Sequence, residues 1–247
     1  MADKNNSLDK ALKVLDLFVG RDSMMMSEIV AATSYSNSAV QRILNTLREN
    51  GYLYKSDSDG AYRVCIKLFF LGNQADFGRQ LLTVAREPVE KLARKLGFTV
   101  SVSMLDEDGK IVTIMRNNIQ TVRGLVPNIG DSRSPHASAA GKSLVAYSDN
   151  MSSIIEDADY ERYTDYTITN PVDFRKEIDE VRVEGYAYDN EELMDGLFCV
   201  GKAVLNKRGN AIAALSVTGY KMKILENIDT IRSELASATD EIAKLLV

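Results

Sequence analysis

The sequence predicts an α+β protein of two domains, and two observations support this. Within the first 72 residues, short helical segments separated by a polar turn precede two strand-like runs. From residue 80 to residue 247, strands and helices alternate, which predicts an antiparallel sheet with helices packed at its sides. We therefore predict an N-terminal winged helix-turn-helix over 1–72, a linker over 73–79 at the end of a short helix, and a C-terminal α+β domain over 80–247.

A helix-turn-helix is predicted between Ser27 and Asn50. The first helix begins near Ser27, a turn follows at 34–36, and the second helix starts at Asn37. Gly51 ends that helix where a left-handed residue is favoured. In the second helix, apolar residues at i, i+3, i+4 and i+7 predict one core-facing stripe: Val40, Ile43, Leu44 and Leu47. An earlier helix, from Leu8 to Val19, is expected to close this core with a stripe of its own: Leu8, Leu12, Leu15 and Val19.

The other side of the second helix carries groups suited to DNA. Short polar side chains hydrogen-bond base edges, and guanidinium groups bind guanine or phosphate. Two strands joined by a polar turn over 56–60 predict a wing whose basic residues contact the DNA backbone or minor groove. The predicted DNA-binding residues are Asn37, Ser38, Gln41, Arg42, Asn45, Lys55 and Arg63.

The alternative interpretation of this surface is an ordinary solvated helix face, and the charge balance only weakly opposes it. Residues 1–79 carry 10 Lys and Arg against 9 Asp and Glu, whereas residues 80–247 carry 20 against 26. Attraction to DNA must therefore be local, which predicts modest non-specific affinity and a need for dimerisation. The order of the elements, two helices and then a hairpin, favours DNA binding.

Composition and cysteine usage restrict the class of protein. No apolar run approaches a membrane span, and the polar start does not resemble a signal peptide. Cys65 and Cys199 lack the spacing of metal ligands or of a disulfide framework, so we expect a cytoplasmic protein.

Patterns for catalysis are weak. The single histidine, His136, supports neither a histidine metal cluster nor a Ser-His-Asp triad. Gly141-Lys142-Ser143 lacks the upstream glycine of a phosphate-binding loop. We predict no catalytic residues, no metal and no cofactor.

A ligand pocket is the stronger hypothesis for the C-terminal domain. The segment 135–141 begins a helix with small residues, which allow a ligand to approach the free N–H groups of a helix N-terminus. Close packing of helix and sheet explains the same small residues equally well. In the last two strands, a period of two places Cys199 on one face, and Ser216 and Thr218 on a shared face that suits a small polar molecule.

Several blocks of this sequence resemble the IclR family of bacterial transcriptional regulators. They are Ser38–Leu44 with Gly51-Tyr52, His136–Lys142, Gly185–Glu192, Gly196–Cys199 and Ala214–Val217. The chain departs from the family at Gly201-Lys202, where Ala-Pro is common, and at Ser34, where glycine is common. Lys202 should point away from the face of Cys199.

The resemblance implies a GAF-like effector-binding domain, dimers that often pair into tetramers, and control of an operon by a small metabolite, commonly a carboxylate. A carboxylate at Asp189 beside a carboxylate ligand suggests that Asp189 receives a hydroxyl or stays protonated. The pocket residues that the resemblance implies are Ser138, Ala139, Ala140, Asp189, Cys199, Ser216 and Thr218.

The predicted function is a sequence-specific regulator that binds a palindromic operator on double-stranded DNA as a homodimer or a dimer of dimers. Two alternatives remain open: a metabolic enzyme with a vestigial helical N-terminus, and an adaptor whose winged module binds a protein.

Overall fold

The computed structural model describes residues 6–72, 76–117 and 129–246, with backbone alone for residues 76 and 77. The chain divides into two compact units, Met1–Arg79 and Gln80–Val247. Of the predicted linker, residues 73–75 lie outside the described residues, and residues 76–79 are helical. No helix within the described ranges is both long enough and apolar enough to cross a membrane.

The N-terminal unit is a winged helix-turn-helix. Its elements are α1 Asn6–Asp16, α2 Met26–Thr33, α3 Asn37–Glu49, β1 Leu53–Lys55, β2 Tyr62–Val64 and α4 Ile66–Gly72. The wing is an antiparallel hairpin in which Tyr54 lies opposite Arg63. Met24 and Tyr62 exchange backbone hydrogen bonds of 3.0 and 2.8 Å, which tie the segment before α2 to the wing.

The turn between α2 and α3 depends on two serines. Ser34 is left-handed, with φ of 57°, and its N–H donates to Val30 O, so a non-glycine residue ends α2. Ser36 is extended and its Oγ accepts from the N–H of Ala39, which starts α3. Gly51 adopts φ of 72°, as predicted from its position after the helix.

Of the stripe predicted for α1, Leu15 packs against the core, and the prediction is wrong for the other three residues. Leu8, Leu12 and Val19 are 57%, 52% and 46% exposed, whereas Val14 and Phe18 are buried against α3 and the wing strands. Both sets recur at helical spacing, and they differ by one residue, or about 100° around the helix. Periodicity alone therefore does not select the face that meets α3.

The C-terminal unit places one antiparallel sheet between two layers of helices. Its elements are α5 Asp76–Leu96, β3 Thr99–Leu105, β4 Ile111–Asn117, β5 Ser132–Arg133, α6 Ala139–Ala146, α7 Met151–Asp157, α8 Pro171–Glu184, β6 Ala187–Asn190, β7 Leu197–Leu205, β8 Ala211–Tyr220, α9 Lys221–Glu226 and α10 Ile228–Leu245. The strand order is β5-β4-β3-β8-β7-β6. This is the predicted α+β architecture; β5, β6, α7 and α9 were not predicted.

The two faces of the sheet differ in character. Valines and leucines of β3, β7 and β8, including Val100, Val200 and Leu215, pack against α5 and α10 in the largest apolar core. Helices α6, α7 and α8 cover the opposite face. Helix α5 continues through Pro88 as a single helix, and the buried Val89 and Leu92 continue its packed face.

Helix α6 lies very close to the sheet. A Cβ added at Gly201 would lie 2.5 Å from Ala139 O and 2.9 Å from Ser143 Oγ, and one at Gly141 would lie 2.5 Å from Pro135 O. The absence of a side chain at Gly201 therefore sets the distance between the first turn of α6 and strand β7, and its absence at Gly141 lets α6 pack against the segment that precedes it.

A buried ion cluster fixes the same helix. Lys142 is fully buried, and its Nζ donates to Glu192 Oε1 at 2.6 Å, Tyr188 O at 2.8 Å and Glu177 Oε1 at 3.0 Å. The three protons of the ammonium group thus have three acceptors. Burial raises the pKa of Glu192 to about 7, although the Lys142 charge opposes this rise. The second carboxylate oxygen of Glu192 has no hydrogen-bond partner among the described residues.

We predict that Gly201→Ala destabilises the protein by about 1–3 kcal/mol, because backbone atoms of α6 must move to admit the new methyl group. The measurement is the free energy of unfolding from urea denaturation. Gly78→Ala is the matched control, since nothing lies within 4 Å of a Cβ at that helical position. Equal stability of Gly201→Ala and the wild type would contradict the close contact.

We predict that Glu192 makes the protein less stable as pH rises. A carboxyl whose pKa is raised on folding stabilises the folded state below its unfolded value near 4.5, and this contribution disappears as pH rises through about 7. Glu192→Gln should therefore flatten the profile of unfolding free energy between these two pH values. Glu107→Gln, at an exposed turn, should leave the profile unchanged.

Candidate functional sites

A cavity lies between the first turn of α6 and the sheet. Its volume is about 40 Å³, and the residues that line it come from all six strands or their ends, from α6 and from the segment after β6. They are Ser101, Ser103, Ile111, Thr113, Arg133, Ser138, Ala139, Ala140, Asp189, Leu193, Met194, Leu197, Cys199, Ser216 and Thr218.

Helix α6 presents its N-terminus to this cavity. Ser138 precedes the helix, and its Oγ accepts from the N–H of Gly141 at 3.3 Å. The N–H groups of Ala139 and Ala140 have no acceptor within the helix, because they belong to its first turn. Such N–H groups and the helix dipole favour a negatively charged ligand.

Asp189, Cys199 and Thr218 form a chain of contacts across three neighbouring strands. Thr218 Oγ1 donates to Cys199 Sγ at 3.2 Å, and Cys199 Sγ donates to Asp189 Oδ2 at 3.5 Å. Asp189 Oδ1 also accepts from the N–H of Glu192 at 2.8 Å and of Leu193 at 3.3 Å. Burial raises the pKa of Asp189 above its usual value, and burial raises the pKa of Cys199 well above its usual value. The thiol is therefore protonated at neutral pH, so it is a poor nucleophile.

Arg133 is the basic side chain among the described residues that line the cavity. Its Nε is buried and has no hydrogen-bond partner. Burial lowers the pKa of Arg133, and the charge of the nearby Asp131 opposes that change. An arginine remains protonated even so, which makes Arg133 a fixed positive charge in the cavity.

His136 has a structural role. It is fully buried, its Nδ1 pairs with Ser134 Oγ at 3.0 Å and its Nε2 with Glu161 O at 2.9 Å. The ring lies against Tyr160 and Tyr163, and burial lowers its pKa. His136 thus holds the segment between β5 and α6 in place. No group of three or more His, Cys, Asp or Glu in the described part of the chain is arranged to hold a metal ion.

All seven effector-binding residues predicted from the sequence lie on this cavity. The sequence interpretation missed Arg133 and the hydroxyls of β3 and β4: Ser101, Ser103 and Thr113. Alternation in β3 places Ser101 and Ser103 on one face and therefore gave a signal. Arg133 lies on a two-residue strand, which no periodicity reveals. Lys202 points away from the cavity, as expected, and its Nζ donates to Gly185 O.

The predicted DNA-reading face of α3 is open to solvent. Asn37, Ser38, Arg42 and Asn45 are exposed, and Gln41 is half-buried and donates to Asn45 Oδ1 at 3.0 Å. The opposite face buries Val40, Leu44 and Leu47 in the core. An open groove between α3 and β1 is lined by Asn45, Arg48 and Lys55, and also by Glu49.

In the wing, the two predicted basic residues differ. Lys55 is exposed, with Nζ 5.7 Å from the ring centre of Tyr62. The guanidinium of Arg63 pairs with both oxygens of Asp59, at 3.1 and 2.6 Å, and this holds the pKa of Asp59 well below its usual range. Arg63 therefore stabilises the turn of the hairpin in this structure.

Comparisons with known proteins cover both units. The family described as the IclR helix-turn-helix domain matches residues 7–57, and the family described as the bacterial transcriptional regulator IclR C-terminal matches residues 77–244. The HTH-type transcriptional regulator BhcR of Paracoccus denitrificans is 28% identical over 242 residues, which are 97% of this chain and 85% of BhcR. KdgR of Escherichia coli is 29% identical over 226 residues, which are 91% of this chain and 86% of KdgR.

Solved structures show the same fold. IclR of Thermotoga maritima aligns with a TM-score of 0.75 and 26% identity, covering 98% of this chain and 99% of that one. An IclR homologue from Microbacterium hydrocarbonoxydans, solved with 4-hydroxybenzoate, aligns with a TM-score of 0.82, 20% identity and coverage of 98% and 99%. Matches to both domain families, together with an exposed helix-turn-helix face on one unit, show that this chain belongs to the IclR family of bacterial transcriptional regulators.

Proposed function

We propose that this chain is a cytoplasmic, sequence-specific DNA-binding regulator whose operator affinity changes when a small carboxylate binds in the cavity under α6. The proposal rests on two features of the same chain. The α6 N-terminus, Asp189 and the sheet hydroxyls surround one cavity, and the helix-turn-helix has a face that is open to solvent. The IclR homologue solved with 4-hydroxybenzoate has the same fold, which supports a carboxylate as the effector.

In the proposed complex, α3 enters a major groove of DNA. Asn37, Ser38, Gln41, Arg42 and Asn45 then lie nearest the base edges, and Lys55 with the wing contacts the backbone or the minor groove. Arg63 binds DNA directly only where a DNA phosphate replaces Asp59 as the partner of its guanidinium. A homodimer, or a dimer of dimers, on a palindromic operator places two such helices in successive major grooves.

In the cavity, the N–H groups of Ala139 and Ala140 receive the carboxylate of the effector. Asp189, Cys199 and Thr218 contact its other end, together with Ser138 and Ser216. Asp189 in its protonated form donates a hydrogen bond, which the rise in its pKa favours. The effector changes operator affinity only if it binds the DNA-competent and DNA-incompetent states with unequal affinity.

The first test is fluorescence anisotropy of the full chain with DNA from upstream of its own gene and with a scrambled duplex, over a range of salt concentrations. We expect tighter binding to the native fragment and a steep salt dependence. Equal, salt-insensitive binding to both duplexes would contradict the regulator proposal.

We predict that Arg42→Ala weakens binding to the operator by about 1–3 kcal/mol, because a bidentate guanine contact is lost. The same anisotropy assay measures this loss, with Arg208→Ala on the exposed β7–β8 turn as the control. A loss of equal size on scrambled DNA would instead make Arg42 a phosphate contact.

We predict that Cys199→Ser and Asp189→Ala alter the response to effector and leave effector-free operator binding unchanged. Alanine removes the carboxyl group that the proposal assigns to the effector. The readout is operator affinity with and without a carboxylate that shifts the wild type. Loss of effector-free DNA binding in both variants would show that these residues are structural.

A further inference from the structure

The cavity carries more polar groups than one carboxylate needs. Six of its fifteen lining residues are Ser or Thr, and they come from α6 and from strands β3, β4 and β8. Ser101 lies directly opposite Ser216 on paired strands, and Ser103 opposite Ala214. The hydroxyls therefore form a continuous wall on the sheet side of the cavity.

Three polar groups that line the cavity have no hydrogen-bond partner within the described structure. The hydroxyls of Ser101 and Ser216 make no hydrogen bond to a described residue, although these residues are only 6% and 7% exposed. The buried Nε of Arg133 also has no partner. Buried polar groups in native proteins are nearly always paired, so the unpaired Nε of Arg133, beside two serine hydroxyls that line the same cavity, indicates a polar ligand.

Other hydroxyls already have partners and are less available. Ser103 Oγ lies 3.5 Å from Thr113 Oγ1, Ser138 accepts from Gly141, and Thr218 donates to Cys199. The groups without a partner are thus the cation of Arg133 and the neutral hydroxyls of Ser101 and Ser216.

The size of the cavity restricts the ligand further. Its volume of about 40 Å³ is well below the roughly 150 Å³ of an engineered cavity that holds benzene. A compact acyclic molecule requires less movement of Leu193 and Met194 than an aromatic ring does.

Resting on the proposed function, we infer that the effector is a short, hydroxylated monocarboxylic acid, that Arg133 binds its carboxylate together with the α6 N-terminus, and that Ser101 and Ser216 bind its hydroxyls. Arg133 lies six residues before Ala139 in the chain, and both line the cavity. The positive charge of Arg133 balances the single negative charge of such an acid.

Three probes of similar size separate the contributions. Glycerate carries a carboxylate and two hydroxyls, propionate carries the carboxylate alone, and glycerol carries hydroxyls alone. Calorimetric titration of the full chain should show glycerate binding at least about tenfold more tightly than either other probe, because charge-assisted and neutral hydrogen bonds both add affinity.

Variants of the cavity residues test which group of the ligand each side chain binds. Arg133→Gln should remove the preference for glycerate over glycerol, and the double variant Ser101→Ala with Ser216→Ala should remove the preference for glycerate over propionate. Arg208→Gln and Ser152→Ala, both at exposed positions outside the cavity, are the matched controls and should bind glycerate as the wild type does. Circular dichroism checks that every variant is folded, and the serine variants keep a test available if Arg133→Gln is unfolded.

Equal affinity of the wild type for propionate and glycerate, no binding of glycerate, or unchanged glycerate affinity in folded Arg133→Gln would each overturn this inference. The proposed function is judged separately in the DNA assay. If 4-hydroxybenzoate shifts operator binding while glycerate does not bind, the regulator proposal stands and the inference about the hydroxylated acid fails. If none of these carboxylates shifts operator binding, both fail.

Discussion

The close approach of helix α6 to strand β7 is the constraint on which the C-terminal unit depends. It is possible because Gly201 has no side chain where Ala139 comes near. The approach brings the first N–H groups of α6 over the polar face of the sheet. A larger residue at Gly201 would separate helix and sheet and so change the shape of the cavity between them.

The ion cluster around Lys142 also holds helix α6 in position. A fully buried lysine is costly unless its charge is paired and its protons are accepted, and Glu177, Glu192 and the carbonyl of Tyr188 meet both conditions. These acceptors belong to α8, to β6 and to the segment after it. The backbone N–H of Glu192 in turn donates to Asp189. This hydrogen bond links the ion cluster to the cavity, so the position of Asp189 is coupled to the position of α6.

The six-stranded sheet has one apolar face, which forms the core, and one partly polar face, which lines the cavity. The apolar face packs against α5 and α10 and supplies most of the core. The other face is covered by α6, α7 and α8, and it leaves a small region where hydroxyls, Asp189 and Arg133 meet. Polar residues on a buried face weaken packing, which a protein tolerates where those groups bind something.

The sequence by itself determined the helix-turn-helix, the wing and the alternation of strands and helices in the C-terminal domain, because each has a local signal in spacing, caps or turn residues. It also determined which side of β7 and β8 bears Cys199, Ser216 and Thr218, since alternation in a strand is a local property. Only the tertiary structure decided which stripe of α1 is buried, because two stripes one residue apart satisfy the same period. Only the tertiary structure also brought Arg133 and Ser101 to the cavity and identified Lys142 as a buried anchor. These assignments depend on contacts between residues far apart in the chain, which no local pattern encodes.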